Sequence, residues 1–328
     1  MKRSLFQSIA LAVIFAAGAK SQCGLGPARP TALGSPRALA ADATFTTIDV
    51  PGATTTIPID TNSAGDIVGR YVSAADLNTH GFLLSKGVFT TIDFPASNFT
   101  VTAGIDRCGD IVGMYRLLSD PSTARHGFLL SEGEFTTIDP PGSVFTNALG
   151  INPRGDIVGR FCTTTPCASD GGNVHGFLRT PSGDFTTIDF PDAIGTNAWK
   201  IDSQGQILGG STGADGSSHI FLLKPDGFTT IDPPGGLALF RDNGGINPSG
   251  ALVGIYCDTA PCTNASKDDH GFLFSAGEFT PINYPDAPES GAFSINARSD
   301  IVGYYVDASG IIHGFLLSRA GTAPAASH

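Results

Sequence analysis

Six histidines recur at one motif position: His80, His126, His175, His219, His270 and His313. Each opens an H-G-F-L-L-type segment, read His219-Ile220-Phe221 in the fourth copy. An imidazole can ligate a metal or move a proton near neutral pH. One histidine per repeat argues against both uses, because equivalent residues in an array lie a repeat apart and do not converge on one ion. No metal, cofactor or catalytic residue is therefore expected. Each histidine is instead expected to pair with a buried or half-buried neighbour. The available partners are Asp49, Asp93, Asp139, Asp189, Asp232 and Asn283, or the Asn/Asp of a second repeated module.

Two cysteine pairs share one spacing, Cys162-x4-Cys167 and Cys257-x4-Cys262. In an exported chain this spacing reads as two short disulfide loops rather than a zinc site. Trp199-Lys200 is the sharpest local departure from the repeat. Trp199 is the sole tryptophan, and Gly104, Gly150, Gly245 and Ser294 stand before the module's Ile where Lys200 does, with Pro58 in the first copy. A tryptophan near the inner strand could stack on a sugar or anchor a peptide, or simply plug a channel. Phe99, Phe145, Phe240, Arg241 and Phe293 join Trp199 and Lys200 as candidate ligand contacts, because all fall on the variable links between repeats.

The elements that must position these residues are the repeats themselves. F-T-T-I-D or a near variant begins at Phe45, Phe89, Phe135, Phe185, Phe228 and Phe279. A second module, I-N/D-x-x-G-D-I-V-G, has its Ile at Ile59, Ile105, Ile151, Ile201, Ile246 and Ile295. With the histidine module this makes six copies at a period of about 40–50 residues, which signals an array of supersecondary units. Each copy supplies four short β-branched or aromatic runs divided by Gly turns, and no helical period. The glycine that closes D-I-V-G (Gly69, Gly113, Gly159, Gly209, Gly254 and Gly303) is expected to let neighbouring units pack closely. The fold predicted is an all-β, six-bladed β-propeller of four-stranded blades. The chain begins with a fourth-strand module and ends with a third-strand module. The N-terminal FTTID strand is therefore expected to complete the last blade and close the ring, with an open β-solenoid as the alternative.

These units resemble the HAF family of probable extracellular repeats, which has a His-Ala-Phe signature after a G-I-N-x-x-G-x-I-V-G segment. The resemblance covers residues 45–317, with Gly or Ile in place of the family's Ala. It implies an extracellular location and a propeller-like fold, and it brings no catalytic residues.

The address agrees. Lys2 and Arg3, an apolar run from Ile9 to Ala17 and Ala17-Gly18-Ala19 form a secretory signal over residues 1–19. Residues 20–44 read as a flexible leader, 45–318 as the propeller and 319–328 as a tail. No insertion into a membrane is expected after cleavage. A net charge of −11 argues against nucleic acid. Second-to-third-strand loops and unit-to-unit links vary in length, and both cysteine pairs fall on them. In an antiparallel unit these connections share one face, so binding is expected there. The reading is a monomeric, non-catalytic, periplasmic or extracellular scaffold for a glycan or cell-surface protein. A propeller enzyme acting on polysaccharide and a structural or adhesive surface module are the alternatives.

Overall fold

The computed structural model describes residues 43–165, 167, 173–231, 238–239, 244–257 and 269–319. The expected signal segment, most of the leader, the tail beyond Arg319, Asp232, Phe240, Arg241 and Cys262 lie outside the described residues. All regular elements described are strands, and among the described residues no helix is long and apolar enough to cross a membrane.

The second module builds the same turn six times. The side-chain oxygen of Asn62 accepts hydrogen bonds from the N–H groups of Ala64 (2.9 Å) and Asp66 (3.0 Å), and Gly65 sits at φ +90°. An Asn or Asp is favoured because its side chain can mimic a backbone turn, and glycine because φ is positive. Asp106, Asn152, Asp202, Asn247 and Asn296 do the same. In the sixth turn Ser299 replaces the glycine and adopts φ 67°. This register corrects the sequence reading of the first copy. Asn62, not Asp60, is the turn residue, so Thr61 and not Ile59 matches Ile105. Ile59-Asp60 imitates the motif two residues too early.

The turns join antiparallel strands in chain order. β1 (Ala43–Ile48) precedes a first unit of β2 (Ala53–Thr61), β3 (Ile67–Ser73), β4 (Thr79–Ser85) and β5 (Val88–Ile92). The second unit is β6 (Ser97–Ile105), β7 (Ile111–Leu117), β8 (His126–Ser131) and β9 (Glu134–Ile138). The third is β10 (Phe145–Ile151), β11 (Ile157–Cys162), β12 (Val174–Arg179) and β13 (Phe185–Ile188). The fourth is β14 (Ala193–Ile201), β15 (Ile207–Gly213), β16 (Ser218–Lys224) and β17 (Gly227–Thr230). In the fifth, β18 (Ala238–Leu239) and β19 (Gly245–Ile246) both pair with β20 (Leu252–Cys257), followed by β21 (Asp269–Ser275) and β22 (Glu278–Ile282). The last has β23 (Glu289–Ile295), β24 (Ile301–Val306) and β25 (Ile312–Arg319). β1 pairs with β25, and Phe45 faces Leu317 as Phe89 faces Leu84 in the first unit.

Successive units are tied by the turn residues. Asn62 Nδ2 donates to the Asp106 carbonyl (3.1 Å) and Asn152 Nδ2 to the Asp202 carbonyl (3.2 Å). Asn296 Nδ2 donates to the Asn62 carbonyl at 3.0 Å, joining the last unit to the first. The D-I-V-G glycine acts inside its unit rather than between units. A Cβ on Gly113 would collide with the Val101 carbonyl and with Phe128, both of the same unit, and Gly159 is similarly pressed by Asn147 and Phe177. That crowding follows from a β-bulge in the first strand of five units, marked by register shifts at Pro58/Asp60, Thr102/Gly104, Ala148/Gly150, Ala198/Lys200 and Ala292/Ser294.

Candidate functional site

The repeated histidines sit at the start of the third strand of each unit. His80 Nδ1 lies 2.9 Å from Asp93, His126 Nδ1 2.6 Å from Asp139 and His175 Nδ1 2.8 Å from Asp189. His270 pairs with Asn283 at 3.0 Å and His313 with Asp49 at 2.9 Å. The partner named in sequence for His219, Asp232, lies outside the described residues. Each of the five rings also lies against an aromatic of the second strand, as His80 does on Tyr71 and His313 on Tyr305. Burial opposes charge on His80, but the hydrogen bonds and charges of Asp93 and Asp76 together outweigh it and raise its pKa. Asp49 and Asp307 do the same for His313. Among the described residues no three His, Cys, Asp or Glu side chains gather as a metal set would require.

The bulges decide what faces the centre. Ile59, Leu149, Trp199 and Phe293 are the residues displaced by the bulge in their strands, and all join one buried apolar cluster. Trp199 is 1% exposed, its ring fitted against Gly210 and Gly244, which leave space that a Cβ would take. Its Nε1 has no hydrogen-bond partner among the described residues. Trp199 and Phe293 (8% exposed) therefore do not present a ligand platform, contrary to the sequence expectation, because the bulge turns them into the core. Lys200 is also not a free contact. Its Nζ lies 3.0 Å from Asp60 and donates to the carbonyls of Ala103 (3.1 Å) and Leu149 (3.3 Å). Asp60 in turn accepts from Ser294 Oγ at 2.5 Å and from the Ile105 N–H at 3.0 Å. One ion pair thus links inner strands of five units, near the ends that carry the short turns.

The opposite ends of those strands hold the remaining candidates. Phe99 and Phe145 are half-buried, with the Arg125 guanidinium 4.4 Å from the Phe99 ring centre and Arg160 5.7 Å from that of Phe145. Burial and the neighbouring Arg116 charge both lower the pKa of Arg125, which marks a local concentration of positive charge. Arg70 occupies in β3 the register that Arg160 has in β11, facing Ile57 where Arg160 faces Asn147. Burial lowers its pKa too, and it forms no ion pair among the described residues. Sequence reasoning missed Arg70, Arg125 and Arg160, although two of them fall just after the repeated D-I-V-G. Nearby, Tyr304 donates to Asp269 at 2.7 Å, and burial followed by the Asp269 charge pushes its hydroxyl pKa up.

The connections at this end also carry the exposed apolar side chains. Leu77 (74% exposed), Leu118 (71%), Val144, Ile194 and Ile311 all lie on or beside second-to-third-strand loops and unit links. Val88, at a third-to-fourth-strand turn, is the exception among the described residues. Cys162 and Cys167 form a disulfide on the same face, with Cα atoms 5.8 Å apart. Cys108 and Cys257 are also disulfide-bonded.

No family model matches the chain, and no curated protein is similar to it in sequence. The β-propeller domain of the Trilobed protease from Pyrococcus furiosus, described with an open velcro topology, is 9% identical with a TM-score of 0.50. That match covers 87% of this chain and 94% of the other. AofleA from Arthrobotrys oligospora is 11% identical with a TM-score of 0.50, over 84% of this chain and 86% of the other. The fold is a β-propeller. The Aleuria aurantia lectin, a six-bladed β-propeller described with a novel fucose recognition mode, is 10% identical over 85% of this chain and 99% of its own. Its TM-score is 0.48. At these identities the likeness is one of fold, which does not by itself transfer function.

Proposed function

We propose that this propeller has six blades, closed by β1 as the outer strand of the last one, and serves as an exported, non-catalytic binding scaffold. Closure is supported by the β1–β25 pairing and by the Asn296-to-Asn62 bond, which repeats the bond between the first two units. The HAF resemblance belongs to the same proposal. The ligand side is the face of variable loops. The observation that carries this is the segregation of exposed Leu77, Leu118, Val144, Ile194 and Ile311 to that face, since exposed apolar groups collected on one side mark an interaction surface.

A glycan fits the Arg125–Phe99 and Arg160–Phe145 pairs. A guanidinium held on a ring offers a flat surface and several donors to hydroxyl or carboxylate oxygens. The apolar loop tips favour the second reading, a cell-surface protein. The repeated polar residues are engaged in brackets and turns, so the reading assigns them to scaffold rather than chemistry. The test is binding to a panel of glycans, cell-wall fractions and surface proteins by wild type, Arg125→Ala and Leu77→Ser/Leu118→Ser. Loss of glycan binding in the arginine variant, at unchanged melting temperature, supports the glycan. Loss only in the leucine variant supports the protein partner. Absence of any binding, or release of product from polysaccharide, overturns the proposal.

A further inference from the structure

In three units an aromatic side chain from the preceding link, one residue past the last position of F-T-T-I-D or its variant, packs into the unit that follows. In the second unit this is Phe94, stacked on Tyr115 with ring centres 3.5 Å apart and edge-on to Phe135 at 5.1 Å. In the fourth it is Phe190, 5.2 Å from Phe228. In the last it is Tyr284, stacked on Tyr305 at 3.6 Å, with its hydroxyl 2.9 Å from Thr47 Oγ1. In these three units the slot between the second and fourth strands holds an aromatic ring, and in the first unit the buried Val50 stands at that position.

In the third unit the corresponding residue is Pro140, which is buried against the slot but brings no aromatic ring to fill it. An open cleft of about 350 Å³ remains there, lined by Pro140, Pro141, Phe161, Phe177, Phe185 and Thr187. Phe161 occupies the place of Tyr115 and Tyr305 but brings no hydroxyl. Thr187 matches Thr47 in the F-T-T-I strand, and its hydroxyl makes no hydrogen bond to a described residue, whereas Tyr115 and Tyr305 bond their threonines.

We propose that this cleft binds a phenolic ring, stacked on Phe161 as Tyr284 is on Tyr305, with its hydroxyl bonded to Thr187. Stacking and apolar burial supply the affinity, and the threonine supplies the preference for phenol over benzene. The site uses none of the residues on which the loop-face reading rests. The chain's own tyrosine in the last unit is the internal precedent for both contacts.

The test is ¹H–¹⁵N NMR titration of the full chain with p-cresol, toluene and N-acetyltyrosinamide. Saturable shifts are expected at Phe185, Thr186 and Thr187, with p-cresol bound about fivefold more tightly than toluene, the worth of one neutral hydrogen bond. Thr187→Val should erase that preference while leaving toluene binding intact. Pro140→Phe, which supplies the missing ring, should weaken p-cresol at least tenfold. Tighter N-acetyltyrosinamide would assign the ring to a peptide-borne tyrosine, and tighter p-cresol to a free phenol. No saturable shift at these residues in wild type, or equal phenol preference in Thr187→Val, overturns the proposal.

Discussion

Asp106 is the turn carboxylate on which burial acts most. It is 5% exposed, and desolvation, assisted by the nearby Asp110 charge, lifts its pKa from 3.8 to about 6 despite hydrogen bonds from backbone N–H groups. Four of the other five turns carry Asn here. Those of the first, third and last units donate Nδ2 to the aspartate four residues on, and to the next unit's carbonyl. Asp106→Asn removes the buried charge and supplies both donors. An acid that ionises near 6 when folded and near 3.8 when unfolded costs the native state about 3 kcal/mol at pH 7, at 1.36 kcal/mol per decade. Because the folded value is raised, the native state holds the proton more tightly. Its contribution is complete below about pH 4 and is lost as pH rises through 6. The substitution should therefore stabilise by about 3 kcal/mol at pH 7, plus about 1 kcal/mol for the new hydrogen bonds. At pH 4 only about 1–2 kcal/mol of gain should remain. Urea unfolding at the two pH values measures both. An equal gain at both would show that the carboxylate is not carrying the cost, and destabilisation at pH 7 would refute the account of the turn.

His126→Ala should lose about 1–2 kcal/mol with the Asp139 bond, leaving ligand binding unchanged, and an unaltered urea midpoint would count against the bracket. Lys200→Met should cost about 3–5 kcal/mol by stranding Asp60, whereas Lys200→Met with Asp60→Asn should cost less, as a double-mutant cycle would show. Ser299→Gly should raise the melting temperature by relieving a left-handed serine, worth about 1 kcal/mol. The raised pKa values of His80 and His313 stabilise fully below about pH 6.5 and fade as pH rises through the folded values. A melting temperature flat from pH 6 to 8 in Asp106→Asn would contradict this.

The strands and turns were legible because each motif states its own geometry. Asn-x-x-Gly-Asp needs a side-chain acceptor and a positive φ at fixed offsets, and a Phe-Thr-Thr-Ile run has little use outside a strand. The histidine partners followed from counting polar groups that have to be paired. The direction of the first-strand side chains was not legible. A bulge carries no residue signature, yet it displaces one side chain from the strict alternation of a strand, so Trp199 and Phe293 turned out to be core. Phe145 lies before the bulge of its strand and Phe99 between two register shifts of its own, and both stay half-buried. Arg125 and Arg160 escaped notice because a lone Arg looks like solvated charge until its ring partner is located.

The ion pair at the centre shows how a two-residue error of alignment conceals a site. Read at Ile59, the first copy contributes Pro58 to the position before Ile, and Lys200 stands alone as an odd cation. Read at the turn, the position holds Asp60, Gly104, Gly150, Lys200, Gly245 and Ser294. The two charged departures are then of opposite sign, and they touch. The glycines between them are tight: a Cβ on Gly150 would lie 3.0 Å from the Lys200 Cα, and one on Gly245 2.7 Å from the Ser294 Cα. Bulk is therefore excluded where neighbouring backbones converge, and charge is admitted only as a pair whose remaining donors find the Ala103 and Leu149 carbonyls. A buried pair of this kind adds little net stability over apolar residues of the same size. Its effect is on registry, because a unit slipped by one residue would leave a lysine or an aspartate unpaired among backbone carbonyls.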